Sequence, residues 1–307
     1  MSTKDEIQIF DSTGDCFVMK VFREELGRQI NILFDMGQGQ EVVDQLIKSK
    51  EPIDGICVTH VDRDHIAGII RLLENEEFMQ SCQLKFIVFN QFNRAFISYE
   101  EGNELSRLIK KHDILLIESY RHCYSNINTA LASQNISIHF FSKNKREKFH
   151  HMHHTSASTK YKIYITFLLP NEKHLEKLMR EWDKYNRNCS GRTGEITNKS
   201  SIVCLVEFLN DAKSTTVLLT GDGFVSDIGK CFEKLGALKI DCIKLPHHAS
   251  YISNVGIGQL IAKHGCTQAF YMKNSSITGE KETLQEVATH IPEKPIYCNG
   301  KFIIGGD

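Results

Sequence analysis

The sequence predicts a layered α/β fold. Short runs of β-branched and aromatic residues alternate with amphipathic helical stretches from one end of the 307 residues to the other. No linker-like change of composition divides them, so the chain reads as one domain over residues 1–307. The apolar share of 41%, the charged share of 24% and the absence of low-complexity tracts fit a globular domain.

The elements follow in order. Ile7 to Phe10, Cys16 to Phe22 and Ile30 to Phe34 read as strands, separated by turns carrying Gly14-Asp15 and Leu26-Gly27. FDMGQGQ breaks the pattern, EVVDQLIKS reads as a helix, and IDGICVT as the next strand. Ile66, Ile69, Ile70 and Leu73 then fall at i, i+3, i+4 and i+7, one face of a helix. KFIVF is a strand and ELSRLIKKH a helix. The middle, from about 120 to 160, carries the weakest pattern, within a variable inserted segment of about 90–160. Order resumes with the strand YKIYITFLL and a helix striped by Leu175, Leu178, Met179 and Trp182. YNRNCSGRTGEITNKS reads as a loop, and SIVCLVEF and TTVLLTGD as a hairpin. Val225, Ile228, Phe232 and Leu235 mark a helix, and LKIDCIKLP a strand. A helix near 257–263, the strand QAFYM, a helix near 282–290 and two short strands ending at Ile304 complete the chain.

Composition excludes several classes. A net charge of −1 gives no global positive field to attract nucleic acid. No apolar run reaches the eighteen or so residues of a membrane span, so no membrane partner is expected. The start, MSTKDEIQIF, lacks the apolar core of an export signal. The ten cysteines are spread singly with no CxxC pair, and Cys57, Cys204 and Cys242 sit in apolar runs as small hydrophobes. Reduced thiols and a cytoplasmic location are the expectation.

The densest chemistry lies at VTHVDRDHIAGI. A strand ending at Thr59 and a helix beginning near His65 leave a turn with His60, Asp62, Asp64 and His65 within six positions. Two carboxylates crowded beside two imidazoles are costly without a cation to neutralise them, and these donors suit zinc, manganese or iron. Two later stretches match. LLTGDG puts Asp222 directly after a strand, and LPHHAS puts His247 and His248 after another. Each is weak alone, but three such clusters at strand ends fit one convergent site.

Together THVDRDH, TGDG and PHHAS resemble the metallo-β-lactamase fold superfamily, whose usual first motif is HxHxDH. More narrowly they look like the subgroup typified by the C-terminal domain of the competence protein ComEC. NKSSIVCLVEF, the hairpin STGDCFVMKV and the turn NILFDMG are similar to that group as well. The resemblance implies a four-layer αββα sandwich with a metal site at one edge, binding one or two divalent ions, zinc or manganese. It assigns His60 and Asp62 to a first metal position, Asp64 and His65 to a second, and Asp222 to both or to the second alone. His248 is the implied final ligand, with His247 as the alternate or a substrate contact. Asp62 replaces a histidine of the usual pattern, and the superfamily's middle histidine falls on Asn198, a neutral and poor ligand. One tight ion with a weaker second is therefore expected.

The implied activity is metal-dependent hydrolysis through an activated water, with Asp64 orienting the water and His247 or Ser250 serving the oxyanion or leaving group. The implied substrate is a phosphodiester, nucleic acid or nucleotide, acted on by a phosphodiesterase or nuclease. A lactone or thioester hydrolase is the alternative enzyme, and a non-catalytic scaffold or sensor with a degraded first position the alternative class. The resemblance leaves a protein partner open. HHMHH (His150, His151, His153, His154) has no carboxylate among its histidines and reads as a solvated loop, preceded by Lys143, Lys145, Arg146 and Lys148. These, with Arg187 and Arg192, read as surface charge.

Overall fold

The computed structural model describes residues 5–23, 27–82, 84–90, 100–119, 136–140, 161–171, 173–178, 180, 194–210, 214–235, 238–291 and 296–304. Two seven-stranded sheets run through it. The first has the order β14-β1-β2-β3-β4-β5-β6, with β1 Glu6–Ile9, β2 Phe17–Arg23, β3 Arg28–Phe34, β4 Gly55–Cys57, β5 Phe86–Val88, β6 Leu115–Ile117 and β14 Gly300–Ile303. The second has the order β13-β12-β11-β10-β9-β8-β7, with β7 Ile136–Phe140, β8 Tyr161–Leu169, β9 Val203–Asn210, β10 Ser214–Leu219, β11 Cys242–Lys244, β12 Gln268–Phe270 and β13 Ile296–Tyr297. The first sheet thus takes its strands from the N-terminal part of the chain plus the last strand, β14.

Period-two alternation explains the layering. On β2, Phe17, Met19 and Val21 point into a core shared by both sheets, while Val18 points to the helices behind the first sheet. On β9, Cys204, Val206 and Phe208 enter the shared core and Leu205 faces the helices behind the second sheet. Three apolar clusters result: helix on sheet, sheet on sheet, and sheet on helix. This is the αββα sandwich that the motifs imply.

Most expected elements are present with shifted ends. The first helix is α1 Gln40–Ser49, and the next begins at Arg63 (α2 Arg63–Glu74), two residues before His65. Helix α4 is Glu100–Lys111, after the short α3 Glu76–Ser81. β9 and β10 pair antiparallel as the expected hairpin. The expected loop YNRNCSGRTGEITNKS ends in a helix, α5 Gly194–Lys199, which carries Asn198. Nothing in its Gly- and Asn-rich text signals this. Strands β6 and β7, at the edges of the two sheets, were also unforeseen. Of the helix after β8, residues 173–178 are helical and Leu175 and Leu178 are buried, while Met179 and Trp182 lie outside the described residues. HHMHH, the cations before it, Arg187 and Arg192 also lie outside them. Later helices are α6 Val225–Leu235, α7 Tyr251–Asn254, α8 Ile257–His264 and α9 Glu280–His290. No helix among the described residues is long and apolar enough to cross a membrane.

Parallel pairing positions the site. β3 runs parallel to β4, and β10, β11 and β12 run parallel to one another. The carboxyl ends of these strands deliver Asp35, Thr59-His60, Asp222 and His247-His248 to one edge. The sheets are stitched there by Ile202 N–H donating to Thr59 O at 2.9 Å.

Candidate metal centre

The loop after β4 folds as the sequence pattern requires. His60 lies just beyond the strand, Asp62 stands at the N-cap of α2 in an extended conformation, and Asp64 and His65 occupy its first turn. The His60 and His65 rings pack against each other at a tilt of 49°, with centres 4.1 Å apart. From the other sheet, Gly221 takes φ +51° to turn the chain after β10 and present Asp222. His247, His248 and Ala249 form a tight turn with φ of 49°, 52° and 63°. Three consecutive non-glycine residues in the left-handed region cost on the order of 1–3 kcal/mol each, a form of strain that concentrates at functional sites.

Asp222 is the hub. Its Oδ2 lies 3.3 Å from His65 Nε2, 3.6 Å from His247 Nε2 and 3.9 Å from His60 Nε2. Asp62 Oδ2 is 3.6 Å from His60 Nε2. On the other side Asp64 Oδ2 stands 3.4 Å from His248 Nε2, and Asp64 Oδ1 is 4.0 Å from His65 Nε2. Both members of the histidine pair therefore join the cluster, His247 on the Asp222 side and His248 on the Asp64 side. His60, His65 and Asp222 have ligand atoms within 4.8 Å of one another, and so do Asp64, His65 and His248. Asn198 Nδ2 is 3.4 Å from both ring nitrogens of His247, so the neutral residue at the place of a third histidine touches the group rather than standing apart. Ser250 closes the turn through its backbone, its N–H donating to His247 O at 2.8 Å and its carbonyl accepting from Asn254 Nδ2 at 2.7 Å.

Three histidines are oriented by partners on their Nδ1 side. Asp35 Oδ2 takes His65 Nδ1–H at 2.8 Å, and Met272 O takes that of His248 at 3.2 Å. Asp35 also accepts from Thr59 N–H at 2.7 Å and from the Thr59 hydroxyl at 2.6 Å, which leaves Thr59 Oγ1 to accept from His60 Nδ1 at 3.0 Å. Each ring thereby turns Nε2 toward the cluster. Among the described residues the Nε2 atoms of His60, His65 and His248 and Oδ1 of Asp222 are buried without a hydrogen-bond partner. Buried polar atoms left this way cost about 1–3 kcal/mol each, so their convergence fits a cation bound between them.

The electrostatics agree. Burial would lower the pKa of His65, but the charges of Asp222, Asp35 and Asp15 outweigh it and hold the imidazole well above its ordinary value. His248 is raised in the same way, by Asp15 and Asp64 against burial. Burial pushes Asp64 and Asp222 up, yet the facing histidines hold both well below the carboxylate range. His247 is lowered, chiefly by burial. Without an ion, protons on His65 and His248 serve as counterions to the carboxylates.

Several contributors carry no strong sequence signal. Asp35 sits at φ +50° in the turn after β3, and Asp15 lies in the β1–β2 turn with its N–H donating to Asp64 O at 3.1 Å. In the sequence both stand in turn text, Gly14-Asp15 and the stretch FDMG, which signals a turn and no role at a site. Ser201 Oγ accepts from Asp222 N–H at 3.2 Å, and Asn274 Nδ2 donates to Asp64 Oδ2 at 3.1 Å. Lys244, with its ammonium 2.5 Å from Asp15, was also missed.

No family model and no curated protein matches the chain. Among solved structures it is similar to the metallo-β-lactamase fold protein YhfI from Bacillus subtilis, at 10% identity and a TM-score of 0.52, covering 98% of this chain and 99% of that one. A second similarity is to the short form of human tRNase Z, at 11% identity and a TM-score of 0.47, covering 98% and 100%.

Proposed function

Starting from a chain of metallo-β-lactamase fold with candidate His/Asp metal-binding groups, we propose that it is a divalent-metal-dependent hydrolase whose preferred substrate is a phosphodiester. One observation carries the reading: three buried imidazole Nε2 atoms, oriented from behind, converge with Asp222 and Asp64 at the sheet edge. His60 and Asp222 would hold one ion, with Asp62 beside them, and Asp64, His65 and His248 a second, because the one free lone pair of His65, on Nε2, serves a single ion. A bound divalent cation supplies Lewis acidity toward water and the scissile group.

The chain's own residues supply the rest. Asp64, 28% exposed, sits on the open side to orient water and take up its proton. Asn274 holds its Oδ2 in place. His247 is the most accessible of the four histidines, at 24%, and would stabilise a developing oxyanion as a hydrogen-bond donor. Its low basicity keeps it neutral at physiological pH. Carboxylate-rich donors favour hard cations, which pair with phosphoryl oxygens, and the ComEC-like motifs point to the same substrate class.

The test is hydrolysis of bis-p-nitrophenyl phosphate, single-stranded DNA and a thioester by chelated protein resupplied with zinc or manganese, with Asp64→Ala as control. Metal-dependent cleavage of the first two, lost in the variant, is expected. Preferential thioester cleavage would shift the substrate class, and no turnover of any substrate by metal-loaded protein would support a scaffold.

A further inference from the structure

Lys244 ends the buried strand β11 and is 1% exposed. Its ammonium stands 2.5 Å from Asp15 Oδ2, on a side chain that is fully buried, and donates to Gly221 O at 2.9 Å. Asp15 in turn faces two of the candidate ligands: its Oδ1 is 3.2 Å from His248 Nδ1 and its Oδ2 is 3.8 Å from His65 Nδ1. Gly221 immediately precedes Asp222. One ammonium therefore joins the β1–β2 turn of the first sheet to the Gly-Asp turn of the second, directly behind the ligand cluster.

Stability does not account for such a pair. Desolvation of two buried charges largely cancels their attraction, and apolar replacements of similar volume are often as stable or more so. What the pair does is placement. Asp15 also belongs to two further groups of close ligand atoms, with Asp222 and His248 and with Asp35 and His65. The ammonium already neutralises that carboxylate, so an incoming ion is left the outer positions around Asp64 and Asp222.

Resting on the metal-site reading above, we propose that Lys244 is a positioning residue: a resident cation that fixes Asp15 behind His248 and His65 and ties the Asp222 turn to the first sheet, so that the ligands are assembled before an ion arrives. Lys244 itself touches neither ion nor substrate.

The experiment is zinc titration by calorimetry of chelated full-length protein, with circular dichroism following the fold. K244M/D15N removes both charges together, so neither is left buried alone, and K244Q/D15N does so while retaining a neutral donor and acceptor. Both doubles are expected to fold and to bind zinc about 10–100-fold more weakly than wild type, the usual cost of losing groups that orient metal ligands. Wild-type affinity in either folded double overturns the role of Lys244 and leaves the metal reading standing. Failure of both doubles to fold overturns it too, because the pair would then belong to the fold rather than to the site. A wild-type chain that binds no zinc overturns both readings.

Discussion

Replacing Asp35 by asparagine should disable the site through a tautomer rather than through unfolding. Asp35 is buried and holds three donors: Thr59 N–H and the Thr59 hydroxyl, at 2.7 and 2.6 Å, and His65 Nδ1–H at 2.8 Å. The backbone donor cannot reverse, so the amide oxygen of the substituted side chain must face Thr59 N–H. Its NH2 then replaces Oδ2 and faces Thr59 Oγ1 and His65 Nδ1. The hydroxyl can rotate to accept, but the imidazole accepts only as the neutral tautomer that keeps its proton on Nε2. That nitrogen is the one aimed at Asp222, 3.3 Å away, and a protonated Nε2 cannot bind an ion. Contacts are kept but lose their charge assistance, so the expected stability loss is about 1–3 kcal/mol. Zinc affinity should fall at least 10–100-fold, about 1.4–2.7 kcal/mol. Calorimetric titration beside thermal melting separates the two effects. A folded Asp35→Asn protein that binds zinc like wild type would overturn the tautomer mechanism.

Other perturbations test different parts of the molecule. A Cβ on Gly14, at φ +103°, would lie 2.0 Å from the carbonyl oxygen of Asp64, so Gly14→Ala should cost roughly 3 kcal/mol or more and weaken zinc binding. Gly265→Ala, at φ +62° with open space around it, should cost only about 1 kcal/mol when both variants are unfolded in urea; equal losses would contradict the close approach. Because His65 and His248 are raised, zinc must displace protons near pH 7. Apparent affinity should then rise with pH, and calorimetry in buffers of different ionisation enthalpy should detect proton release; none at pH 7 would count against it. Burial raises Glu207 from 4.5 to about 7. Between those values the unfolded chain loses a proton that the folded chain keeps, so this residue's contribution to stability falls as pH rises through the window. Glu207→Gln should therefore gain up to about 3 kcal/mol over wild type at pH 8 and little at pH 4. A gain equal at both pH values would refute that.

How much of this was legible follows from how local each signal is. His60, Asp62, Asp64 and His65 are compressed into one turn, and Asp222 and His247-His248 each follow an apolar strand, so pattern alone found them. The layered α/β character was legible in the alternation of strand-like and helix-like runs, whereas the four-layer arrangement came from the resemblance of the motifs; the alternation of β2 and β9 between two cores agrees with it. Asp15 and Asp35 were seen only as turn residues, since aspartate is common in turns for local reasons and their roles depend on His65 and His248, far away in sequence. Lys244 offered one overlooked clue, a lysine set between the apolar pairs Cys242-Ile243 and Leu245-Pro246. The pairing of His247 with Asp222 and of His248 with Asp64 depends on the left-handed turn, which Pro-His-His-Ala-Ser does not announce. Strands β6 and β7 escaped because three and five residues at sheet edges carry little periodicity.

Every functional statement about this edge depends on its binding a divalent cation, and melting of chelated protein with and without zinc or manganese decides that point. Ligand at about a hundred times its dissociation constant stabilises by roughly 2.7 kcal/mol, a rise of about 4 °C in a chain of this size. That rise is expected for wild type, and its loss is expected in Asp222→Ala. An unchanged melting temperature with both metals would contradict a metal site here.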